Sequence, residues 1–379
     1  MDTDVLIVGG GIVGCSLAYF LAREGTDTLV IDRFDLNTQA SGTNAGSLHV
    51  QMMTFFAMEG DWERYARLEA KLPLYLAGAR MWRELERELG FEVEVKSGGG
   101  LMVAETDDQL RFLEKKVAGE RRLGLTSGVV TGAELKNLAP YLSDAVIGAD
   151  FCPDEGKVNP LIATPAIARA AANADAVFRR GTALLGLTRE KQGFAATTSG
   201  GPIRCRRVAN AAGPDMGAVA AMVGLAYPTE SLVLHMNATE PAAPFLPHLV
   251  QHANERLTLK QVANGNLLVG GGWPAVVDPA TGQPSVVRTS VEGNLWVAQH
   301  LVPEMAHLRL IRTWAGVMEF SDVVNPIYGE APEVPGFFNA QASAGYTAGP
   351  FCAHVLADVM GGRNEDGDAV RIALAQNAD

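Results

Sequence analysis

Cysteine is scarce in this sequence. The 379 residues hold four, Cys15, Cys152, Cys205 and Cys352, none of them in CxxC spacing. That excludes a conventional four-cysteine zinc or iron–sulfur motif within the chain, and buried reduced thiols are expected instead. Basic charge is also in short supply. Lys and Arg total 31 against 43 Asp and Glu, and the formal net charge of −12 speaks against nucleic acid or an anionic membrane as partner. No uninterrupted apolar run reaches about 20 residues, so no bilayer-spanning helix is expected. The opening Met1-Asp2-Thr3-Asp4 is acidic and leads straight into an apolar strand, unlike a signal peptide, so a cytoplasmic location is expected. There is no internal repeat and no low-complexity tract. What remains is a globular composition, 47% hydrophobic and 20% charged, at a length natural for two domains.

The first thirty-odd residues organise the rest. Asp4 to Val8 is an apolar run of strand length, followed by Gly9-Gly10-Gly11-Ile12-Val13-Gly14. Cys15 to Ala22 has helical length and Gly25 stops it; Thr28 to Ile31 reads as a second strand closed by Asp32. This is a βαβ unit with a glycine turn. Gly9 suits the tight turn, Gly11 close approach of a pyrophosphate, and Gly14 close packing of helix on strand. The helix N-terminus favours phosphate, and Asp32 is placed to accept a ribose hydroxyl. An acid there disfavours a 2′-phosphate, so NADP is not expected.

Further along, Ala40-Ser41-Gly42-Thr43-Asn44-Ala45-Gly46-Ser47 concentrates small residues, either to lie against a flat ligand or as a plain glycine-serine loop. Residues 61–90 read as helices. Phe91 to Val95 and Leu101 to Ala104 suggest a strand pair across Gly98-Gly99-Gly100, and Asp107 to Leu123 a polar helix. Thr131 with Glu134 is a capping-box pattern. Asp154 to Pro160 reads as a turn, and Pro160 opens an alanine-rich helix to about Ala174. Strands around Val177, Leu184 and Phe194 precede Ile203 to Ala209, which runs into Asn210-Ala211-Ala212-Gly213. From Ser231 to Val269 the alternating pattern suits a mixed or antiparallel sheet. A helix near Val291 to Leu301, a strand over Leu308 to Trp314, a strand over Gly336 to Ala340, a glycine-rich turn over Ser343 to Gly349 and a helix over Pro350 to Met360 complete the chain. The expected class is α/β with an α+β second domain. A discontinuous nucleotide-binding domain is assigned to residues 1–85, 151–220 and 325–379, and a substrate domain to 86–150 and 221–324.

Together these stretches resemble, nearly end to end, the D-amino-acid oxidase superfamily of FAD enzymes. That superfamily includes glycine oxidase, sarcosine oxidase and the beta subunits of heteromeric amino-acid dehydrogenases. The similar segments are Gly9 to Gly14 with Asp32, the loop Ala40 to Gly46, Asn210-Ala211-Ala212-Gly213, Arg312-Thr313-Trp314-Ala315-Gly316 with Asp322, Pro326 and Gly329, and Ser343 to Pro350. Asn44 to Gln51 and Gly336 to Ala340 are most similar to opine oxidase and related beta subunits, with proline, hydroxyproline and sarcosine enzymes also in play. The resemblance implies a Rossmann-like FAD domain, with FAD held by Gly9, Gly11, Ile12, Val13, Gly14, Asp32, Arg33, Ser41, Gly42, Asn44, Ala45, Gly46, Ser47, Leu48, Leu184, Ala211, Ala212, Gly213, Gly316, Gly345, Tyr346 and Thr347.

The implied activity is oxidation of a secondary amino acid at its C–N bond, an amine C–H delivering hydride to the flavin. The chain would be the beta subunit of a complex containing an alpha flavoprotein and a small iron–sulfur subunit, soluble or held at the inner membrane face through that complex. The rivals are a stand-alone glycine-, sarcosine- or D-amino-acid-type oxidase, 2-hydroxy-acid oxidation on the same fold, and a non-catalytic scaffold subunit. Two departures stand out. Met318, followed by Glu319, occupies the place of the family's carboxylate-binding arginine. Thr43 and Asn44 stand where relatives with covalent FAD carry histidine, so non-covalent FAD is expected. His49 and Gln51 are expected to face the substrate, or His49 to be a hydrogen-bonded histidine beneath the flavin. Lys260 is expected to assist oxygen or bind a carboxylate, or to be a solvated strand lysine. Tyr346 caps the site or packs on the flavin edge. Glu319 holds a cationic tail or is an exposed charge, and Arg256 and Arg312 bind a carboxylate or sit in ion pairs.

Overall fold

The computed structural model describes residues 1–51, 54, 57, 59–227, 230–320, 328–340 and 345–363. In chain order the elements that position the site are β1 (Thr3–Val8), α1 (Ile12–Arg23), β2 (Thr28–Ile31), α2 (Ala40–Thr43), β3 (Ser47–Leu48), α3 (Trp62–Glu69), α4 (Leu72–Leu89), β4 (Gly100–Ala104) and α5 (Asp107–Arg122). Next come β5 (Gly128–Thr131), α6 (Gly132–Leu138), β6 (Gly148–Cys152), β7 (Gly156–Lys157), α7 (Pro160–Asn173), β8 (Val177–Arg179), β9 (Leu184–Glu190), β10 (Gly193–Thr198), β11 (Gly201–Asn210) and α8 (Met216–Ala221). The remainder is β12 (Glu230–Pro241), β13 (Leu249–His252), β14 (Thr258–Gln261), β15 (Asn266–Gly270), β16 (Val276–Val277), β17 (Pro284–Ser285), α9 (Arg288–Leu301), β18 (Leu310–Phe320), β19 (Tyr328–Glu330), β20 (Phe337–Ala340) and α10 (Gly345–Met360).

The first sheet runs β19-β20-β11-β1-β2-β8, with the β9–β10 hairpin attached to β11. β1 pairs parallel with both β2 and β11, and β20 pairs parallel with β11. A central parallel strand is buried on both faces, which is why Val5, Leu6 and Ile7 are all inaccessible. One face is covered by α1, α4, α7 and α10, whose buried Leu17, Trp82, Ile167 and Leu356 belong to one core. The other face packs Leu6, Leu29, Phe194, Ile203 and Phe337 together.

The second sheet runs β18-β12-β15-β14-β13-β4-β6-β5 and is antiparallel except for the β13–β4 pair. Residues opposite one another across strands share a face, and successive residues alternate. Val250, Leu259, Val269, Leu101 and Ala149 therefore fall on one face, and they pack with Val297 and Leu301 of α9. Lys260 opposes Leu268, Leu268 opposes Ala238, and Ala238 opposes Arg312. Arg312, Trp314, Gly316 and Met318 thus lie on the opposite face together with Lys260. That face also carries Gln251, Met102 and Asp150, which oppose one another across β13, β4 and β6.

Several expectations are corrected. Phe91 to Val95 forms no strand; β4 pairs with β6 and β13 instead, and only Lys96 bridges to Lys157. Thr131 is the N-cap of α6, but its side chain makes no capping bond. Residues 345–349 are already the first turns of α10, not a glycine-rich turn, and Pro350 is tolerated inside that helix. Ser343, Ala344, Asp322 and Pro326 lie outside the described residues. The boundary expected at 150/151 falls inside β6, all of which pairs with strands of the second sheet. No helix among the described residues is long and apolar enough to cross a membrane.

Candidate active site

Three small-residue segments meet at the C-terminal ends of β1, β2 and β11. Gly9 has φ of +112°, and a Cβ on it would sit 2.3 Å from the Ala211 carbonyl oxygen. A Cβ on Gly14 would lie 1.9 Å from the Gly9 carbonyl oxygen. Both contacts are with backbone, so glycine is required by packing at these two positions. Gly11 is the N-cap of α1, and the Ile12 amide donates to Ser41 Oγ at 3.0 Å. The second loop thereby takes one of the helix's free N–H groups and is tied to the first. Asn44 Oδ1 accepts from the Gly46 amide at 2.6 Å, shaping the bend that leads into β3.

Asp32, at the end of β2, accepts from the amides of Gly10 (2.7 Å) and Phe34 (2.8 Å). An ionised carboxylate has about four acceptor positions, so these two bonds orient it and leave capacity for hydroxyls. Arg33 pairs with Asp215 at 2.6 Å across the surface, linking the end of β2 to the segment after Gly213. Leu184 lies at the start of β9, half-buried against the second core of the first sheet.

The second sheet closes over this region with the face that carries Lys260. Trp314 Nε1 donates to the Thr43 carbonyl at 2.8 Å, and a Cβ on Gly316 would lie 2.3 Å from Thr43 Oγ1. Lys260 is wholly buried, and its ammonium donates to Ser47 Oγ at 2.8 Å. Burial, then the charge of Lys157, holds its pKa well below the ordinary lysine range. The solvated-lysine expectation is therefore overturned. Lys157 is itself pushed down to about 8 by burial and by Lys96, and it donates to the Gln261 carbonyl at 2.6 Å.

His49 follows β3. Its amide donates to Thr347 Oγ1 at 2.9 Å, which ties the loop to the first turn of α10. Its Nδ1 lies 3.8 Å from Glu155 Oε1. Gln51 is buried and engaged at both ends: Nε2 donates to the Gly100 carbonyl at 3.1 Å, and Oε1 accepts from Lys116 at 3.1 Å. That places Gln51 in the scaffold behind the loop and not at an open surface. Tyr346 is likewise buried, stacked on Trp82 with ring centroids 6.0 Å apart and bonded through its hydroxyl to Thr164. It has no free hydroxyl with which to cap a cavity.

Arg256 lines an open groove of about 940 Å³ together with Glu59, Leu232, Leu234 and Trp273. Its guanidinium donates to the Gly272 carbonyl at 3.1 Å and lies 3.8 Å from Glu59. Leu232 and Leu234 oppose Met318 and Gly316, so the groove borders the face that meets the second loop. Arg312 lies over the Trp314 ring at 5.5 Å. Met318 is partly exposed, and the side chain of Glu319 lies outside the described residues.

The sequence reading missed a buried polar cluster behind the loop. Glu155, fully buried, accepts from the amides of Val50 (3.0 Å) and Gln51 (2.9 Å) and from Gln251. Lys116 bridges Asp150 (2.6 Å) and Glu120. Lys116 and Glu120 are visible in the sequence only as an i,i+4 pair on a polar helix, and Glu155 only as a turn residue.

The glycine cradle, the oriented Asp32 and the small-residue segments fit an FAD. A model of the DAO family, described as FAD dependent oxidoreductase, matches residues 4–359. The chain is 26% identical to an opine oxidase subunit of Rhizobium meliloti, covering 96% of this chain and 95% of that one. It is 26% identical to the beta subunit of sarcosine oxidase of Rhizobium meliloti (strain 1021), covering 93% and 84% respectively. The crystal structure of glycine oxidase from Geobacillus kaustophilus superposes with a TM-score of 0.84 at 24% identity, covering 98% of both chains.

Proposed function

Given that this chain belongs to the DAO family of FAD-dependent oxidoreductases, we propose that it oxidises a secondary amino acid at its C–N bond and does so as the beta subunit of a heteromeric enzyme. Two similar proteins are by name subunits of an opine oxidase and a sarcosine oxidase. In this reading the segments carrying the first sheet bind cofactor, and the second sheet forms the substrate side. The observation that carries the reading is one face of the second sheet. It sets Lys260 and Gly316 against the loop that also bears Ser47 and His49, with Met318 further along the same face.

FAD, when bound, supplies the two-electron acceptor, and the remaining work falls to the chain's own residues. Gly9, Gly11, Gly14, Asp32, Ser41 and Gly46 hold the cofactor non-covalently, since Thr43 and Asn44 offer no histidine for attachment. A secondary amine arrives mostly as its ammonium, and its nitrogen must lose a proton before its lone pair can support loss of hydride from the neighbouring carbon. His49 is the acceptor for that proton. Met318 offers no guanidinium for a carboxylate, so Arg256 in the adjoining groove is assigned that contact. A substrate larger than glycine follows from the size of the groove.

The test is anaerobic bleaching of the yellow holoprotein by a panel of sarcosine, L-proline, a neutral opine, an arginine-derived opine and a 2-hydroxy acid. Bleaching by an opine or imino acid, together with release of FAD on acid precipitation, supports the reading. Bleaching only by the hydroxy acid, or by none, overturns it.

A further inference from the structure

Behind the His49 loop the protein buries a carboxylate in a fitted recess. Glu155 has no accessible side-chain surface. Its Oε1 accepts from two consecutive amides, Val50 and Gln51, and Gln251 Nε2 approaches both of its oxygens at 3.3–3.4 Å. Strand β4 makes room for it: a Cβ on Gly100 would lie 1.8 Å from Glu155 Oε2. A surface turn glutamate needs no such accommodation. The His49 imidazole is the neighbour of Glu155 on the loop side, with Nδ1 3.8 Å away. Nδ1 is itself buried and has no hydrogen-bond partner among the described residues. Yet 29% of the His49 side chain is exposed, so the accessible edge of the ring is the one away from Nδ1.

We infer that Glu155 is a positioning residue for His49, resting on the reading of His49 as proton acceptor given above. The carboxylate clamps the two amides that follow the histidine and, 3.8 Å from Nδ1, electrostatically favours a proton on that nitrogen over one on Nε2. The imidazole is then held in the tautomer whose Nε2 lone pair is free. A proton passes from the substrate nitrogen to Nε2, and the nitrogen keeps the electron pair of the broken N–H bond. A carboxylate orienting a neighbouring imidazole fixes both tautomer and ring direction. The other titratable groups of the cluster are Lys116, Asp150 and Glu120, reached through Gln51, and Lys260, reached through Ser47.

Glu155→Gln preserves the shape of the side chain. The readouts are the side-chain 15N spectrum of the holoprotein, with His49 identified by the signals missing from His49→Gln, and the anaerobic flavin-reduction rate with the fastest member of the panel. The expected result is a predominant Nδ1–H tautomer in the parent, lost in Glu155→Gln. Flavin reduction should slow roughly tenfold or more, with little change in substrate affinity. In a His49→Gln background, Glu155→Gln should add no further loss. An unchanged tautomer, or equal losses in both backgrounds, overturns the proposal and leaves Glu155 as a loop anchor. If no panel member bleaches the flavin, the proposed function fails, while the tautomer comparison still decides the role of Glu155. If flavin bleaches but His49→Gln reduces as fast as the parent, both the proton-acceptor reading and this inference fall.

Discussion

Lys116→Met removes one charge from the interior and leaves the outline of the side chain nearly intact. Lys116 sits between Asp150, at 2.6 Å, and Glu120, with all three side chains at most 1% exposed. Glu120 Oε2 and Asp150 Oδ1 have no hydrogen-bond partner among the described residues, so the ammonium is their principal compensation. One cation cannot neutralise two buried carboxylates. Burial of Lys116 acts to lower its pKa, but the charges of Asp150 and then Glu120 outweigh it and hold it above the ordinary range. Burial pushes Asp150 up to about 7, against the pull of Lys116. Removing one partner from such a site typically costs about 3–5 kcal/mol.

The sign of the pH dependence follows. Asp150 has a higher pKa folded than unfolded, so between about pH 4 and pH 7 the native state holds a proton that the unfolded chain has released. That contribution to stability is fully present below about pH 4 and is lost as pH rises through about 7. Without Lys116 the Asp150 pKa rises further, so the deficit of the variant should be small at pH 5 and grow toward pH 8. The growth should be about 1.4 kcal/mol for each unit of added pKa shift. Urea midpoints of the parent and variant holoproteins at pH 5, 6, 7 and 8, at fixed FAD concentration, measure this. A deficit that does not vary with pH, or one below about 1 kcal/mol at pH 8, would show that water reaches the cluster and would refute the argument.

Two further predictions concern the cofactor side. Asp32→Ala should weaken FAD binding by about 1.5–3 kcal/mol, the range for a hydrogen bond to a charged group, read by titrating apoprotein with FAD; unchanged affinity would place the ribose contact elsewhere. Lys260→Met should leave anaerobic bleaching nearly intact and slow any reoxidation by oxygen, followed in a stopped-flow oxygen jump; equal reoxidation rates would confine Lys260 to its bond with Ser47.

The sequence alone determined the βαβ unit that opens the first sheet. Its signals are local: a strand, a glycine turn, a helix, a strand and an acid lie within about thirty residues, and backbone sterics make the glycines at 9 and 14 obligatory. The order of the small-residue segments supplied the family in the same way, and alternation predicted the mixed second sheet. The tertiary structure decided everything that depends on which face of that sheet meets which loop. Lys260 reads as a solvated strand lysine until the register sets it against Ser47. Ser343 to Gly349 reads as a turn because glycine and proline are poor helix formers, but packing against Ile12 and Val13 carries residues 345–349 into α10. Glu155 reads as a turn acid, and Lys116 and Glu120 as a surface pair. They become an interior cluster only because Gly100 leaves a recess, Gln51 turns inward and β6 brings Asp150 onto the same face. Local propensity carries no information about such long-range contacts, since desolvation is set by what the rest of the chain places on top of a residue.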